Sequence, residues 1–122
     1  MANKSSSNSG IVYNMLAAGS KITSGDFTSD SDFRIDGIFE GNIHCSGKVI
    51  VGETGIVIGN LISSTAEIMG SVQGTLTISE LLSLKSSAKV IGDIKTKILS
   101  IEPKAYFFGT CDMGDEKTNP EK

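Results

Sequence analysis

The chain has 122 residues, among them 14 Gly and 2 Pro, no Trp, and a formal net charge of −3. That length fits one domain. The small negative charge, with no Lys/Arg cluster interleaved with aromatics, argues against a nucleic-acid partner, which calls for a basic stripe. Glycines scattered through an Ile/Val-rich chain point instead to many short strands joined by tight turns.

In chain order, the polar start MANKSSSNSG leads into an apolar segment interrupted by Tyr13-Asn14. This is not the pattern of a secretory signal. No stretch reaches the roughly 18 apolar residues of a membrane span. Residues 1–18 are expected to be a flexible tail. Its apolar side chains, Ile11, Val12, Tyr13, Met15 and Leu16, are too few to cross a bilayer and could at most lie at its surface. The other readings are that they cap the first coil or stay loose.

A repeat starts after the tail. TSGDF (Thr23–Phe27) is a weak first copy of an apolar-x-Gly-polar-apolar unit. FEGNI (Phe39–Ile43), VIGNL (Val57–Leu61), VQGTL (Val72–Leu76), VIGDI (Val90–Ile94) and FFGTC (Phe107–Cys111) follow. The glycines at 25, 41, 59, 74, 92 and 109 are spaced by 16, 18, 15, 18 and 17 residues. An apolar pair two apart follows each of the first five: Phe33/Ile35, Val49/Val51, Ala66/Ile68, Leu82/Leu84 and Leu99/Ile101. A spacing of two puts both side chains on one face of a strand. Some copies show a third short apolar element, such as Ile56 and Ile58.

Fixed-period self-similarity is the signature of a stacked coil. One such coil cannot bury its apolar face alone, but stacked coils can, each strand pairing in parallel with its equivalents about 4.8 Å away. Six copies make a rod on the order of 29 Å tall. The fold expected is all-β: a single right-handed triangular parallel β-helix of about six coils over residues 19–111. A strict left-handed hexapeptide helix needs a six-residue beat that these intervals break. A β-sandwich has no reason to repeat one motif in phase. The recurrent Gly marks a corner where a Cβ would clash or φ is positive.

A stack of parallel strands has two open ends that can template another chain. No amphipathic capping helix closes either one. The last coil carries the densest aromatic patch, Tyr106-Phe107-Phe108, before a charged segment, 112–122, expected to be disordered. Large rings there suit packing against a second rod, whereas the bland reading has Phe107 merely close the core.

The run FRIDGIFEGNIHCSGKVIVGETGIVIGNL (Phe33–Leu61), with VIGDIKTKILSIEPKAYFFGTCDM (Val90–Met113), resembles the bactofilins across about residues 19 to 113. The resemblance implies a cytoskeletal protein that polymerises without nucleotide into non-polar filaments in bacteria. It further implies a scaffold for cell shape, or for positioning cell-wall enzymes or other membrane-associated proteins. A bulky apolar residue of the family's last coil, needed for polymerisation, maps to Phe107, with Phe108 and Tyr106 beside it. The polymer interface is assigned to these three and to Ile22, Phe27 and Ile35 of the first coil. The family's short apolar tail, which reaches the membrane, maps to Ile11–Leu16. The partner expected is the chain itself, then the inner membrane surface and cell-wall enzymes, and the location is cytoplasmic.

No catalytic, metal or cofactor residue is assigned. GNIHCSGK (Gly41–Lys48) looks like a phosphate loop but has five residues between its glycines and Val49 where Ser/Thr must bind magnesium. His44 and Cys45 are neighbours on a strand and so point to opposite faces. Cys111 takes an inward slot and acts as a small apolar residue. Two cysteines far apart, with no CxxC pair, suit a reducing compartment. Asp26, Asp30, Asp32 and Asp36 resemble a calcium loop only partly, with Arg34 where a ligand is needed. Lys85, Lys89, Lys95 and Lys97, among Glu80 and Asp93, read as a solvated face. The rival classes are a hexapeptide-type acyltransferase, with His44 its only candidate base, and a monomeric scaffold.

Overall fold

The computed structural model describes residues 13–113, which form eight strands in one parallel sheet. They are β1 (Tyr13–Leu16), β2 (Lys21–Ser29), β3 (Asp32–Ile35), β4 (Ile38–Val51), β5 (Ile56–Ile68), β6 (Ser71–Leu84), β7 (Lys89–Ile101) and β8 (Tyr106–Asp112). β1 pairs with β3 and β2 with β4, after which β3 and β4 through β8 pair in succession. This is a β-helix of about six coils, as the repeat requires.

The uneven glycine spacing has a simple cause. Each full coil from β4 onward keeps an eight-residue run (such as Ile38–Cys45) and a four-residue run (such as Lys48–Val51) in register with its neighbours. Only the connections vary. The corner between the runs takes two residues in β4 and β6 and one in β5 and β7. The turn to the next coil takes two residues at Met69-Gly70 and four at 52–55, 85–88 and 102–105. Length changes therefore fall where no ladder hydrogen bond is lost.

The core is a set of inward columns. Phe39, Val57, Val72 and Val90 stack in register, as do Ile43, Leu61, Leu76 and Ile94, and all are buried. The apolar pairs stack the same way, Val49–Ala66–Leu82 and Val51–Ile68–Leu84. At the N-terminal end rings fill the space, Phe27 stacking on Phe33 at 4.1 Å and Phe33 meeting Phe39 edge-on at 6.3 Å.

The third side departs from expectation. Ile58 points outward and is 39% exposed, while Val57 between it and Ile56 is buried. A further inward column, past the glycine corner and two residues after that of Ile43, Leu61, Leu76 and Ile94, is Cys45, Ser63, Ile78 and Thr96. Its polar members are satisfied, as burial demands. Ser63 Oγ donates to the Thr65 carbonyl at 3.0 Å and Thr96 Oγ1 to that of Ile98 at 3.1 Å. Both acceptors lie just past the irregular corner, where the ladder skips a residue.

The glycine column is a backbone contact. Gly41, Gly59, Gly74, Gly92 and Gly109 lie in register, each with φ between +135° and +144°. A Cβ on Gly74 would stand 1.9 Å from the carbonyl oxygen of Gly59. Gly25 begins the column in a different way, since the positive φ falls on Ser24 and the ladder shifts between Ile22 and Gly25.

The ordered structure starts earlier than expected. Tyr13–Leu16, assigned to the flexible tail, form a strand on β3, and Leu16 packs against the core. The reason is phase: Leu16 stands in register with Ile35, one coil before it.

Outside, polar ladders run along the rod. Asn42 Nδ2 donates to Asp26 at 2.8 Å, and Asn60 Nδ2 to Asn42 at 2.9 Å. Lys48, Glu67, Lys85 and Glu102 form a chain of ion pairs of 3.3–3.6 Å. Each member is partly exposed, and such pairs contribute little. Glu67→Gln, which removes two of them, is expected to lower stability by less than about 1 kcal/mol in urea melts. The difference should vanish near 1 M salt, where the screening length is about 3 Å. A larger, salt-insensitive loss would mean that Glu67 acts through something other than charge.

Candidate functional site

The chemistry on offer lies at the two ends of the rod. β8 and residues Ile98–Ile101 have no described strand above them, and β1 and β2 none below. Each end therefore shows about one turn of backbone edge that no described strand pairs, the kind of edge that can template another chain.

At the C-terminal end the core columns stop uncovered. Phe107 stands inward over Val90 and packs on the core, only partly buried. Ile101 continues the column of Leu84 but is 50% exposed, with no described coil over it. Leu99 is half-buried in the same way. Cys111 continues the Ile94 column in register, as its phase predicts, but it is exposed rather than a core residue. It lies in the last described coil, so no described strand packs over it. Desolvation pushes its thiol pKa up, and the adjacent Asp112 carboxylate adds to the shift.

The three aromatic neighbours divide by strand alternation. Phe107 faces inward, whereas Tyr106 and Phe108 face the side of the rod, Phe108 being 65% exposed. The ring that closes the end is thus Phe107.

At the N-terminal end, Ile22 lies under Phe39 and Phe27 under Ile43, both partly buried and packed on the core. Ile35, assigned to the interface, is not part of it. It is 0% exposed, because Leu16 covers it. Leu16 takes its place at the open end, and nothing but the repeat's phase, carried one coil further back, would have found it.

Ile11 and Val12 lie outside the described residues. Tyr13 belongs to β1, Met15 faces outward and Leu16 inward. Among the described residues no helix is long and apolar enough to cross a membrane.

Other sequence candidates take structural places. Gly41–Lys48 is extended backbone in β4, flanked by β2 on one side and β5 on the other, with Lys48 N–H donating to Asp32 at 3.0 Å. Its amides cannot form a phosphate cradle. His44 is exposed between Thr28 and Ile62, and Cys45 points into the core with its thiol on the Ser31 carbonyl at 3.0 Å. Burial pushes the Cys45 pKa up; the Gly47 amide lowers it, and Asp32 and Asp30 add to the rise. Asp36 accepts from Arg34 Nε at 2.9 Å. Among the described residues no group of three or more His, Cys, Asp or Glu is placed to hold a metal.

Comparison with known proteins agrees with this architecture. The family model for bactofilins, described as polymer-forming cytoskeletal, matches residues 14–112. This chain belongs to the bactofilin family. Bactofilin BacO of Myxococcus xanthus is 30% identical over 84% of this bactofilin and 82% of its own length. BacP of the same organism is 33% identical over 85% of this bactofilin but 43% of its own length. The solid-state NMR structure of the cytoskeletal bactofilin BacA superposes with a TM-score of 0.74 at 32% identity, covering 82% of this chain and 94% of that one. Membership gives this bactofilin a structural, filament-forming role, and its relatives are cytoskeletal proteins rather than enzymes.

Proposed function

We propose that this bactofilin polymerises end to end, without nucleotide, into filaments of no polarity that act as a cytoplasmic scaffold at the cytoplasmic face of the inner membrane. The scaffold would serve cell shape or the placing of cell-wall or membrane-associated proteins. One observation carries the assembly step: among the described residues the core columns run to both ends and no coil covers them, at Phe107, Leu99 and Ile101 above and at Leu16, Ile22 and Phe27 below. Covering these side chains with a second copy buries apolar surface worth about 25 cal/mol per Å². No cofactor is needed for that driving force. If each end meets its own kind, both contacts are isologous and the filament has no direction.

The two thiols allow a test of assembly and polarity together. Cys45 is buried and Cys111 exposed at the C-terminal end. In nucleotide-free buffer the purified protein is expected to form filaments by negative-stain microscopy. A short bis-maleimide, applied at mildly alkaline pH because the Cys111 pKa is raised, should then yield Cys111–Cys111 dimers. In a head-to-tail filament Cys111 faces the opposite end and never another Cys111. Filaments that give no cross-linked dimer would rule out the non-polar arrangement, and single rods would rule out assembly.

A further inference from the structure

At the N-terminal end a strand edge, a half-buried apolar pair and a tether converge on one segment of the chain. β2 pairs with β4 along one edge, and no described strand pairs the other. Ile22 and Phe27 lie there half-buried. β1 already belongs to the coil that would carry such a strand. It pairs in parallel with β3, and Asn14 Nδ2 donates to Ser29 Oγ at 3.0 Å, on the last residue of β2. The chain preceding Tyr13 therefore departs from the corner at the Ser29 end of the open edge. Twelve residues precede Tyr13, and β2 is nine residues long. Full coils use one or two residues for this corner, which leaves enough chain to run the whole length of β2.

We infer that residues 2–11 add a parallel strand beneath β2 and act as a removable cap on the N-terminal contact. The inference rests on the end-to-end reading and assigns a regulation to one of its two contacts. Phase sets what the strand brings. The positions that would face Phe27 and Ile22 fall within Asn3–Ser9, and every residue there is polar. Such a strand can pair the backbone edge, but it cannot close the core. A second copy can, because its Leu16, Ile22 and Phe27 bury apolar surface, so the cap is displaceable. In dilute solution two features favour the cap. The segment is tethered by β1 and acts at an effective concentration on the order of mM. Charge favours it too: residues 21–36 carry four carboxylates and two cations, whereas residues 1–12 carry Lys4 and no acid. Two first coils meeting end to end instead bring like charge together.

Proline has no amide hydrogen to give a ladder. Ser6→Pro with Ser7→Pro therefore removes a donor toward β2 in any register and leaves the described rod untouched. The pair is compared with its parent in a Phe107→Arg background, where the C-terminal contact is blocked. Hydrogen exchange, followed amide by amide by NMR in dilute monomer, should show alternate β2 amides protected in the parent and exposed in the proline form. Amides of β5 and β6 should not change. Sedimentation should then find the proline form dimerising at roughly a tenth of the parent's concentration. Unchanged β2 exchange would overturn the cap. Faster exchange with equal dimerisation would overturn its control of the contact. Faster exchange with no dimer from either protein would uphold the cap and count against the N-terminal contact alone.

Discussion

Phe107→Arg is expected to leave the rod folded and abolish filaments, giving short soluble species. Phe107 lies on the last described strand, over Val90, half-buried and with no described strand on its outer side. In a free rod the arginine can turn its guanidinium to water, so the cost to folding is small. In an end contact it cannot. Burying an unpaired charge costs several kcal/mol, which exceeds what a few apolar side chains at one contact return. Because each contact must form for the chain to grow, even about 3 kcal/mol per contact lowers the association constant more than a hundredfold. Ultracentrifugation should find the variant in the supernatant and the native chain in the pellet. Circular dichroism and the urea midpoint should stay near native. Phe107→Leu should keep filaments, since it retains an apolar side chain in the same column. Pelleting filaments from Phe107→Arg would show that the C-terminal core columns are not the contact.

Gly74→Ala is expected to be among the most destabilising single methyl additions in the rod. At φ +135° the backbone lies in a region open essentially to glycine alone, a cost of about 1–3 kcal/mol for other residues. The added Cβ would also stand 1.9 Å from the Gly59 carbonyl oxygen, which is backbone and cannot swing aside. Relief requires the two coils to part, which breaks ladder hydrogen bonds on both sides of the corner. A loss of about 3 kcal/mol or more in urea melts is the expected outcome. Gly25→Ala is the matched control. Its φ is not positive, and its new Cβ would meet Ile22 Cγ2 at 2.8 Å, a side-chain methyl at the half-buried end of the rod that a change in χ1 can move, rather than fixed backbone. It should cost much less. Equal losses in the two variants would mean that the column is not held by backbone contact.

Much of this was legible because a β-helix repeats its physics. A residue's phase sets its neighbours one coil away, so Ile43, Leu61, Leu76 and Ile94 could be stacked from spacing alone, and they are. The third inward column was not legible. Ser63 and Thr96 are polar, and their burial depends on carbonyls exposed by an irregular corner that no apolar pattern reports. Ile56 and Ile58, a third apolar element in the sequence, flank the inward residue Val57, because alternation along the strand turns its neighbours outward.

By itself, the sequence determined the all-β coil, its period, the glycine corner and the membership of the main core columns. These follow from local alternation and a clash that any stacked chain would meet. It also marked the aromatic last coil as the place where the columns run out. Only the tertiary structure decided which side chains face an open end and which are covered. Ile35 and Leu16 exchange roles because β1 adds a strand beneath β3. Cys111 keeps its inward phase yet is exposed, and Phe107 and Phe108 part to the end and the side. Phase says where a side chain points, but exposure depends on whether another coil lies over it.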